Sequence, residues 1–381
     1  MKYIIEAFSV MLVLIFNLLL CVSMLGVSAD VAAAKEFKAA MIAEIENSDF
    51  NPYVIDGCKA QARTEGYELE VQSMRRGRGA WVCETSQGLK LLREYKGTVK
   101  RLEFEEQIMN VLQNEKTCRT DQYMRNREGE LLSVAEDGTR CVVKEWFSGR
   151  ECSVQSEAEV VRAVGQIAKL HRTLRGIAID ESWNLGSILT RPAVTEMERH
   201  NRELVRTRNY IRKKRRKSDF ERAVSGSFAI FYEQAQEAAG GLKAQIERDG
   251  EPENYLCHGD LNQHHILLVE ENEMAVIEFN RMHRGVQVED LYHFTRKILE
   301  KHGWDLRLGM RLLETYDRIL PLNAQERTYL YYLFLYPGKY WKQLNFYYNA
   351  GKAWIPVRSI EKLQKLEEQQ TARNLFLEAI R

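Results

Sequence analysis

The amino-acid sequence predicts an α+β protein of two lobes, a small lobe built on an antiparallel sheet and a larger, mainly helical lobe. Between residues 67 and 95, strand-like runs alternate with short glycine turns, which is typical of an antiparallel meander. After Gly149 the pattern changes to long segments with the apolar spacing of helices. The length of 381 residues, 45% of them hydrophobic, is enough for two domains.

The predicted small lobe covers residues 31–147 and begins with a helix that breaks at Asn51-Pro52. A second helix is predicted from Val99 to Gln113 because Leu102, Ile108, Met109 and Leu112 recur on one helical face. Runs rich in β-branched and aromatic residues predict the strands of this lobe. These strands are 67–74, 80–85, 89–95, 130–135 and 140–147, the last two bracketing the turn Glu136-Asp137-Gly138.

The predicted large lobe covers residues 148–381. Apolar spacing predicts a helix over 156–174, a charged helix over about 195–240, and several helices between residue 288 and the end of the chain. The stretch 257–280, CHGDLNQHHILLVEENEMAVIEFN, interrupts this helical run with two short strands and a loop. We therefore expect a functional loop here, within an otherwise helical lobe.

Residues 1–30 form a separate hydrophobic segment. The run from Ala7 to Val27 carries no charge and is long enough to cross a bilayer. It is interpreted as a retained anchor, a signal peptide or a start codon assigned too early, with possible membrane contact through residues 7–27. The seven cysteines are scattered and form no CxxC pair, which favours free thiols in a reducing compartment, and so an anchor or a spurious extension over export.

The charge of the chain gives little indication of a nucleic-acid partner. The formal net charge is +1, so no specific nucleic-acid binding is expected. A basic run, RNYIRKKRRKSDFER over 208–222, could contact nucleic acid, anionic lipid or a wall polymer. The preferred interpretation is a solvated helix face, since acidic residues lie nearby.

The histidines of the 257–280 stretch suggest two kinds of site. His258, His264 and His265 could form a zinc site, but adjacent histidines point in different directions and no cysteine or acid stands at ligand spacing. The alternative is a phosphoryl-transfer loop, which needs a base, oxygen ligands for magnesium and a cation for the phosphates. His258-Gly259-Asp260 and the later Glu278 have the order that such a loop requires.

Several ordered blocks carry a family resemblance that extends from about Tyr67 to the C-terminus. The chain resembles the aminoglycoside phosphotransferase and choline kinase group of protein-kinase-like folds, and more closely its spore-coat CotS-type branch. The blocks are RGRGAWVCETSQGLKLLREYKG (76–97), VVKEWFSGREC (142–152), IAKLHRTL (167–174), CHGDLNQHHIL (257–267), VEDLYHFTRKILEKHGW (288–304) and YPGKYWKQLNFYYNAGKAW (336–354).

The resemblance implies a role for individual residues. Asp260 matches the catalytic base, with His258 beside it, and Asp290 would brace this loop by hydrogen bonds. The metal-ligand positions fall on His265 and Glu278, where the family has Asn and Asp. The remaining matches concern ATP: Arg93 stands where a lysine grips the phosphates (Lys90 being the alternative), Glu105 is its ion-pair partner, and Glu145 and Phe147 lie in the connector.

These departures favour a pseudokinase with a structural or assembly role in the spore coat. Mg²⁺ prefers oxygen ligands in octahedral geometry, whereas His265 offers nitrogen. Arg and Lys also differ in reach and shape. One alternative is an active phosphotransferase that uses ATP and Mg²⁺ on a small-molecule or cell-envelope hydroxyl; another is a membrane-tethered nucleotide sensor. The resemblance implies spore-coat proteins as partners, and the mother-cell compartment and spore coat as the location.

Overall fold

The computed structural model describes residues 30–48, 56–57, 59–61, 63–64, 66–135, 137–178, 191–270, 273–349 and 357–381. The apolar run 7–27 and part of the predicted turn 136–138 lie outside these ranges. Among the described residues, no helix combines the length and apolarity that crossing a membrane requires. The chain divides into two compact units, one formed by residues up to 99 with 122–147, the other by 100–121 with 148–381.

The first unit contains an antiparallel sheet. Its strands follow the order β1-β2-β3-β7-β5, with β6 also paired to β7. A helix, α1 (Asp30–Asn47), precedes it. The strands are β1 (Val71–Gly77), β2 (Ala80–Thr85), β3 (Gly88–Glu94), β5 (Tyr123–Met124), β6 (Ser133–Val134) and β7 (Arg140–Glu145).

The turn between β1 and β2 is a tight two-residue hairpin turn. Gly77 pairs with Ala80, and the two residues between them, Arg78 and Gly79, have φ values of 55° and 70°. Two successive positive φ values are typical of a type I′ turn, which matches the twist of the flanking strands. The glycine at position 79 is therefore explained by hairpin geometry.

In the central strands of this sheet, buried residues follow one another along the chain instead of alternating with exposed ones. Both faces of the sheet are therefore apolar. One face packs Tyr67 and Ala60 against Cys83, Leu92 and Val143. On the other face, Ala80, Val82 and Leu91 form a second cluster that includes Leu89 and Trp146. The sheet therefore offers two different surfaces, and the face on which a β3 side chain lies determines what it can contact.

The second unit is mainly helical and carries two small sheets. One has the order β4-β11-β10-β8, and the other pairs β12 with β9. Its strands are β4 (Arg119–Thr120), β8 (Arg150–Glu151), β9 (Tyr255–Cys257), β10 (Ile266–Glu270), β11 (Glu273–Val276) and β12 (His283–Gly285). Its helices are α2 (Val99–Asn114), α3 (Glu157–Arg175), α4 (Ala193–Lys213), α5 (Asp219–Asp249), α6 (Val288–Lys301), α7 (Leu306–Ile319), α8 (Ala324–Leu335), α9 (Gly338–Asn349), α10 (Val357–Glu368) and α11 (Gln370–Ile380).

The fold is α+β with an antiparallel sheet in the first part and helices in the second, as the sequence predicts. The predicted single helix over 195–240 is wrong, because the segment contains two helices, α4 and α5. Ser218 begins α5 with a capping box, in which its side chain accepts from Glu221 N–H and the Glu221 side chain accepts from Ser218 N–H. Helix α2, predicted in the small lobe, groups with the second unit from residue 100 onward.

Candidate functional site

The loop that contains Asp260 lies between β9 and β10 in the second unit. It ends in a 3₁₀ turn, Gln263–His265, which Asn262 caps by accepting a hydrogen bond from His264 N–H. Gly259 has a φ of 82°, and a Cβ atom at this position would lie 2.2 Å from the Arg281 carbonyl oxygen. The close approach of these two backbone segments therefore requires glycine directly before Asp260.

Asp290, near the N-terminus of α6, holds the loop in place. Its carboxylate accepts hydrogen bonds from the backbone N–H groups of His258 (2.7 Å) and Gly259 (3.0 Å). The His171 ring lies 3.5 Å from the same carboxylate, and both side chains are buried. Burial alone would raise the pKa of Asp290, but its interaction with the His171 ring lowers it. The predicted brace is confirmed.

His258, predicted together with Asp260 as a catalytic residue, contacts the backbone of the loop on both sides of its ring, and its catalytic role stays a prediction. Its ring is fully buried; Nε2 donates to the Ile277 carbonyl at 3.0 Å, and Nδ1 accepts from Asp260 N–H at 3.3 Å. Burial lowers the pKa of this imidazole, in agreement with the neutral tautomer that these bonds require. The ring therefore joins the loop to the end of β11 and has no nitrogen left for a reacting group.

Asp260 has the partly exposed carboxylate that a general base needs. Its side chain is 42% exposed, and Oδ2 lies 4.0 Å from both Arg281 Nε and His265 Nδ1. Oδ1 accepts a hydrogen bond of 3.2 Å from the Asn262 amide. The backbone on both sides of Asp260 is held, so its carboxylate is presented from a fixed position.

His265 is fixed by the backbone of Asp260 itself. Its Nδ1 lies 2.7 Å from the Asp260 carbonyl oxygen, which also accepts from the Asn262 side-chain amide at 3.0 Å. Because a carbonyl oxygen only accepts, Nδ1 donates to it, and Nε2 is the other nitrogen that the ring offers. The residue at the predicted metal-ligand position therefore offers one nitrogen and no oxygen.

Glu278 follows the strand β11 in an unusual backbone conformation. It has a φ of 70°, which is rare for a residue with a side chain and is often found at functional sites. Its N–H lies 3.3 Å from both carboxylate oxygens of Asp121, which is fully buried at the end of β4. Asp121 was missed by sequence reasoning, since a two-residue strand 157 positions away leaves no local signal.

The donors at this site do not fit Mg²⁺. His265 supplies imidazole nitrogen at one of the two predicted ligand positions, and Mg²⁺ is selective for oxygen in near-ideal octahedral geometry. Within the part of the chain that the structure describes, no group of three or more His, Cys, Asp and Glu side chains is placed to hold a metal ion. The zinc alternative fails for a related reason: the three histidines bond Ile277, Glu151 and the Asp260 carbonyl separately.

Glu105 on α2 forms a buried ion pair with a residue of its own helix. Arg101 Nε donates to Glu105 Oε1 at 2.7 Å, and the two side chains are 5% and 1% exposed. The same guanidinium donates to the carbonyl oxygen of Met282 at 2.7 Å. Arg101 therefore connects α2 with the segment that follows Glu278, a role that sequence reasoning also missed.

In the first unit, Lys90 and Arg93 lie on opposite faces of β3. Lys90 is paired with Cys83 and Glu145 across the sheet, and its Nζ contacts both Glu145 carboxylate oxygens at 2.7 and 2.8 Å. Glu145, predicted near the nucleotide, is thus the ion-pair partner of Lys90. A shift of register cannot place Lys90 where Arg93 stands, because side chains three positions apart on a strand point to opposite faces.

Arg93 shares its face of the sheet with an apolar cluster. Leu91, two residues earlier, packs with Val82 and, at the edge, Trp146. Arg93 donates to the Arg78 carbonyl of the hairpin turn at 3.3 Å. An apolar sheet surface with a guanidinium beside it has the chemistry that a nucleotide base and its phosphates require. Phe147, the other predicted contact, is buried in the same unit, and the nucleotide roles of Arg93, Glu105, Glu145 and Phe147 stay predictions.

An antiparallel sheet unit, a helical unit and a braced loop presenting an aspartate define a fold of the protein-kinase-like class. The family model described as the phosphotransferase enzyme family (APH) matches residues 54–329. The chain belongs to this family.

Solved structures agree with this fold. An aminoglycoside phosphotransferase from Alicyclobacillus acidocaldarius superposes with a TM-score of 0.73 at 17% identity, covering 84% of this chain and 94% of that one. AMP-bound spectinomycin phosphotransferase superposes with a TM-score of 0.59 at 10% identity, covering 82% of this chain and 96% of that one. A microcompartment-associated aminopropanol kinase superposes with a TM-score of 0.53 at 13% identity, covering 84% of this chain and 97% of that one. No curated protein sequence matches the chain.

Proposed function

We propose that the protein is a degenerate phosphotransferase, a pseudokinase that serves a structural or assembly role in the spore coat. The observation that carries this proposal is the position of His265. Its ring is fixed by a 2.7 Å hydrogen bond to the Asp260 carbonyl, so it presents nitrogen where a magnesium-dependent site needs oxygen. Turnover with Mg²⁺ and ATP is therefore expected to be very slow or absent.

The arrangement of the ion pairs supports the same proposal. Kinase-type catalysis depends on a strand lysine whose ammonium is available for the nucleotide phosphates. Lys90, the lysine within β3, is held by both Glu145 oxygens on the face opposite Arg93. A guanidinium at Arg93 is therefore left for this role, and it differs from an ammonium in reach and shape.

The spore-coat part of the proposal is supported by sequence blocks. The CHGDLNQHHIL, VEDLYHFTRKILEKHGW and YPGKYWKQLNFYYNAGKAW segments resemble the CotS-type branch. The described part of the last block is suited to a packing role. Tyr340, Leu344 and Tyr347 of α9 are buried, and these side chains are not free to stack on a ligand. Coat proteins of the mother-cell compartment are the partners that this proposal implies.

A second candidate is an active phosphotransferase that acts on a small-molecule or cell-envelope hydroxyl. The geometry of Asp260 favours it: the carboxylate is partly exposed, and the loop on which it lies is held by Asp290. In that function Asp260 would accept the proton of the attacking hydroxyl group. In the nucleotide-sensing alternative, the protein binds ATP at the same sheet surface beside Arg93, but Asp260 accepts no proton.

Thermal stabilisation by ATP, with and without Mg²⁺, followed by a phosphate-release assay, distinguishes these candidates. The pseudokinase proposal expects no turnover above that of the Asp260→Asn variant. Turnover that Asp260→Asn abolishes, while the matched exposed-residue variant Asp219→Asn retains it, would establish the active enzyme instead. A shift of the melting temperature with ATP and no turnover would favour the nucleotide sensor.

A further inference from the structure

The turn between α4 and α5 is strongly basic. Residues 202–222 contain ten Lys and Arg and three Asp and Glu residues, a net charge of +7. The whole chain has a net charge of +1, so the other 360 residues together carry −6. Such a separation of charge on a nearly neutral protein indicates a local partner rather than a general affinity for polyanions.

The turn between α4 and α5 is held in place by the buried carboxylate of Glu221. Lys214 Nζ lies 2.5 Å from Glu221 Oε1, and the Tyr347 hydroxyl of α9 donates to the same carboxylate. Burial would raise the pKa of Glu221, but its hydrogen bonds with Lys214, Tyr347 and Ser218 N–H lower it below the usual range. The carboxylate therefore stays ionised and fixes the direction in which the chain turns.

Four cations project outward from this fixed turn, and we name them the basic corner: Arg212, Lys213, Arg215 and Arg216. All four are exposed, and within the described residues none forms an ion pair or hydrogen bond through its side chain. Tyr210, in the last turn of α4, is 37% exposed. Its ring lies 5.9 Å from the ring of Tyr348, near the C-terminus of α9. The corner thus combines unpaired charge with a partly exposed aromatic ring.

We propose that the basic corner docks the protein on an anionic membrane surface. All four side chains are exposed, so the phosphate groups that they can contact lie outside the protein, as those of a headgroup surface do. Clusters of four or more Lys and Arg are attracted by anionic lipid headgroups, and tyrosine favours the headgroup region. This surface function is independent of whether Asp260 supports phosphoryl transfer.

Vesicle cosedimentation of the full chain tests the proposal. Vesicles of phosphatidylglycerol and phosphatidylcholine are compared with vesicles of phosphatidylcholine alone, so that any contribution of the apolar run 7–27 appears in both. We expect a preference for the anionic vesicles that is lost at high salt. Replacing all four cations of the basic corner by Gln should lower this preference about a hundredfold or more at low salt.

The matched control removes four other exposed cations of α6 and α7: Lys301, Arg307, Arg311 and Arg318. It changes the net charge equally, so an equal loss of binding would overturn the proposal. Equal binding to neutral vesicles would also overturn it, as would tighter binding to duplex DNA than to anionic vesicles. Unchanged melting temperatures in both quadruple variants establish that any difference arises from the surface and not from unfolding.

Discussion

His265 donates a 2.7 Å hydrogen bond from Nδ1 to the carbonyl oxygen of Asp260, five residues earlier in the same loop. The bond closes the loop and at the same time decides which atom the ring presents. Because Nδ1 donates this bond, Nε2 is the other nitrogen that the ring offers. The loop is therefore held in place by the same residue that replaces an oxygen donor with a nitrogen. A comparison of sequences alone does not distinguish these two effects of His265.

Restoring oxygen donors should increase the response to magnesium. An Asn at position 265 can donate from its amide to the Asp260 carbonyl while its oxygen remains available to a cation. We expect the double variant His265→Asn/Glu278→Asp to show a larger Mg²⁺-dependent thermal shift with ATP, and phosphate release at least tenfold above the wild-type protein. His264→Asn is the matched control, since His264 is exposed and contacts Glu151. An unchanged response in the double variant would contradict the role given to His265.

Asp290→Asn should destabilise the protein. An Asn side chain keeps one oxygen and replaces the other by an NH₂ group that only donates, so the bond from His258 N–H (2.7 Å) or that from Gly259 N–H (3.0 Å) is lost or lengthened. Such a loss costs about 1–3 kcal/mol, more when a charge is removed from a buried network. Urea unfolding measures the change. A variant with wild-type stability would show that Asp290 does not hold the loop.

Arg101→Met should cost about 3–5 kcal/mol, because it leaves the Glu105 carboxylate buried beside an apolar side chain. The double variant Arg101→Met/Glu105→Leu removes both charges and should recover most of this loss. Urea unfolding of the single and double variants gives the coupling energy. Additive losses in the double variant would show that the pair is not an energetic unit.

Glu289 should make stability depend on pH above about 5. Burial raises the pKa of this carboxyl to about 7, although the Tyr329 hydroxyl donates to it at 2.7 Å. Because the pKa is higher in the folded than in the unfolded state, the protonated carboxyl contributes its full stabilisation below the unfolded-state pKa of about 4.5. This stabilisation is lost as the pH rises through the folded-state pKa of about 7. Because the Glu289 side chain is half-buried and solvent screens part of the effect, we expect a loss of about 1–2 kcal/mol between pH 5.5 and 8.

The variant Glu289→Gln separates this effect from other titrating groups. An amide resembles the protonated carboxyl at every pH, so the variant should be more stable than the wild-type protein at pH 8 and nearly equal to it at pH 4.5. Melting temperatures across this range measure the difference. A constant difference between the two proteins at all pH values would contradict the raised pKa.

The sequence predicted the elements whose signal is local. The strand 80–85 and the helix over 156–174 lie within one residue of the observed elements, because their apolar periodicity and turn residues agree. The break between α4 and α5 was missed because it contains neither glycine nor proline. A signal was nevertheless present in the Ser218-x-x-Glu221 spacing, which is that of a capping box.

The site was predictable where a single loop carries it. Asp260 and its brace Asp290 follow from short motifs, whereas Asp121 and Arg101 act through partners 157 and 181 residues away. Contacts of such long range depend on the packing of whole elements, which periodicity does not describe. The choice between Lys90 and Arg93 needed the register of β3 with β7, since one position changes the face of the sheet on which a side chain lies.

The bonds of Arg101 to Glu105 and to the Met282 carbonyl also have a consequence for regulation. In switchable kinases the corresponding helix moves between two positions, and the gain or loss of an ion pair reports which one is occupied. Here the guanidinium of Arg101 joins α2 to the segment after Glu278. A restraint of this kind is what the proposed structural role of the protein would require.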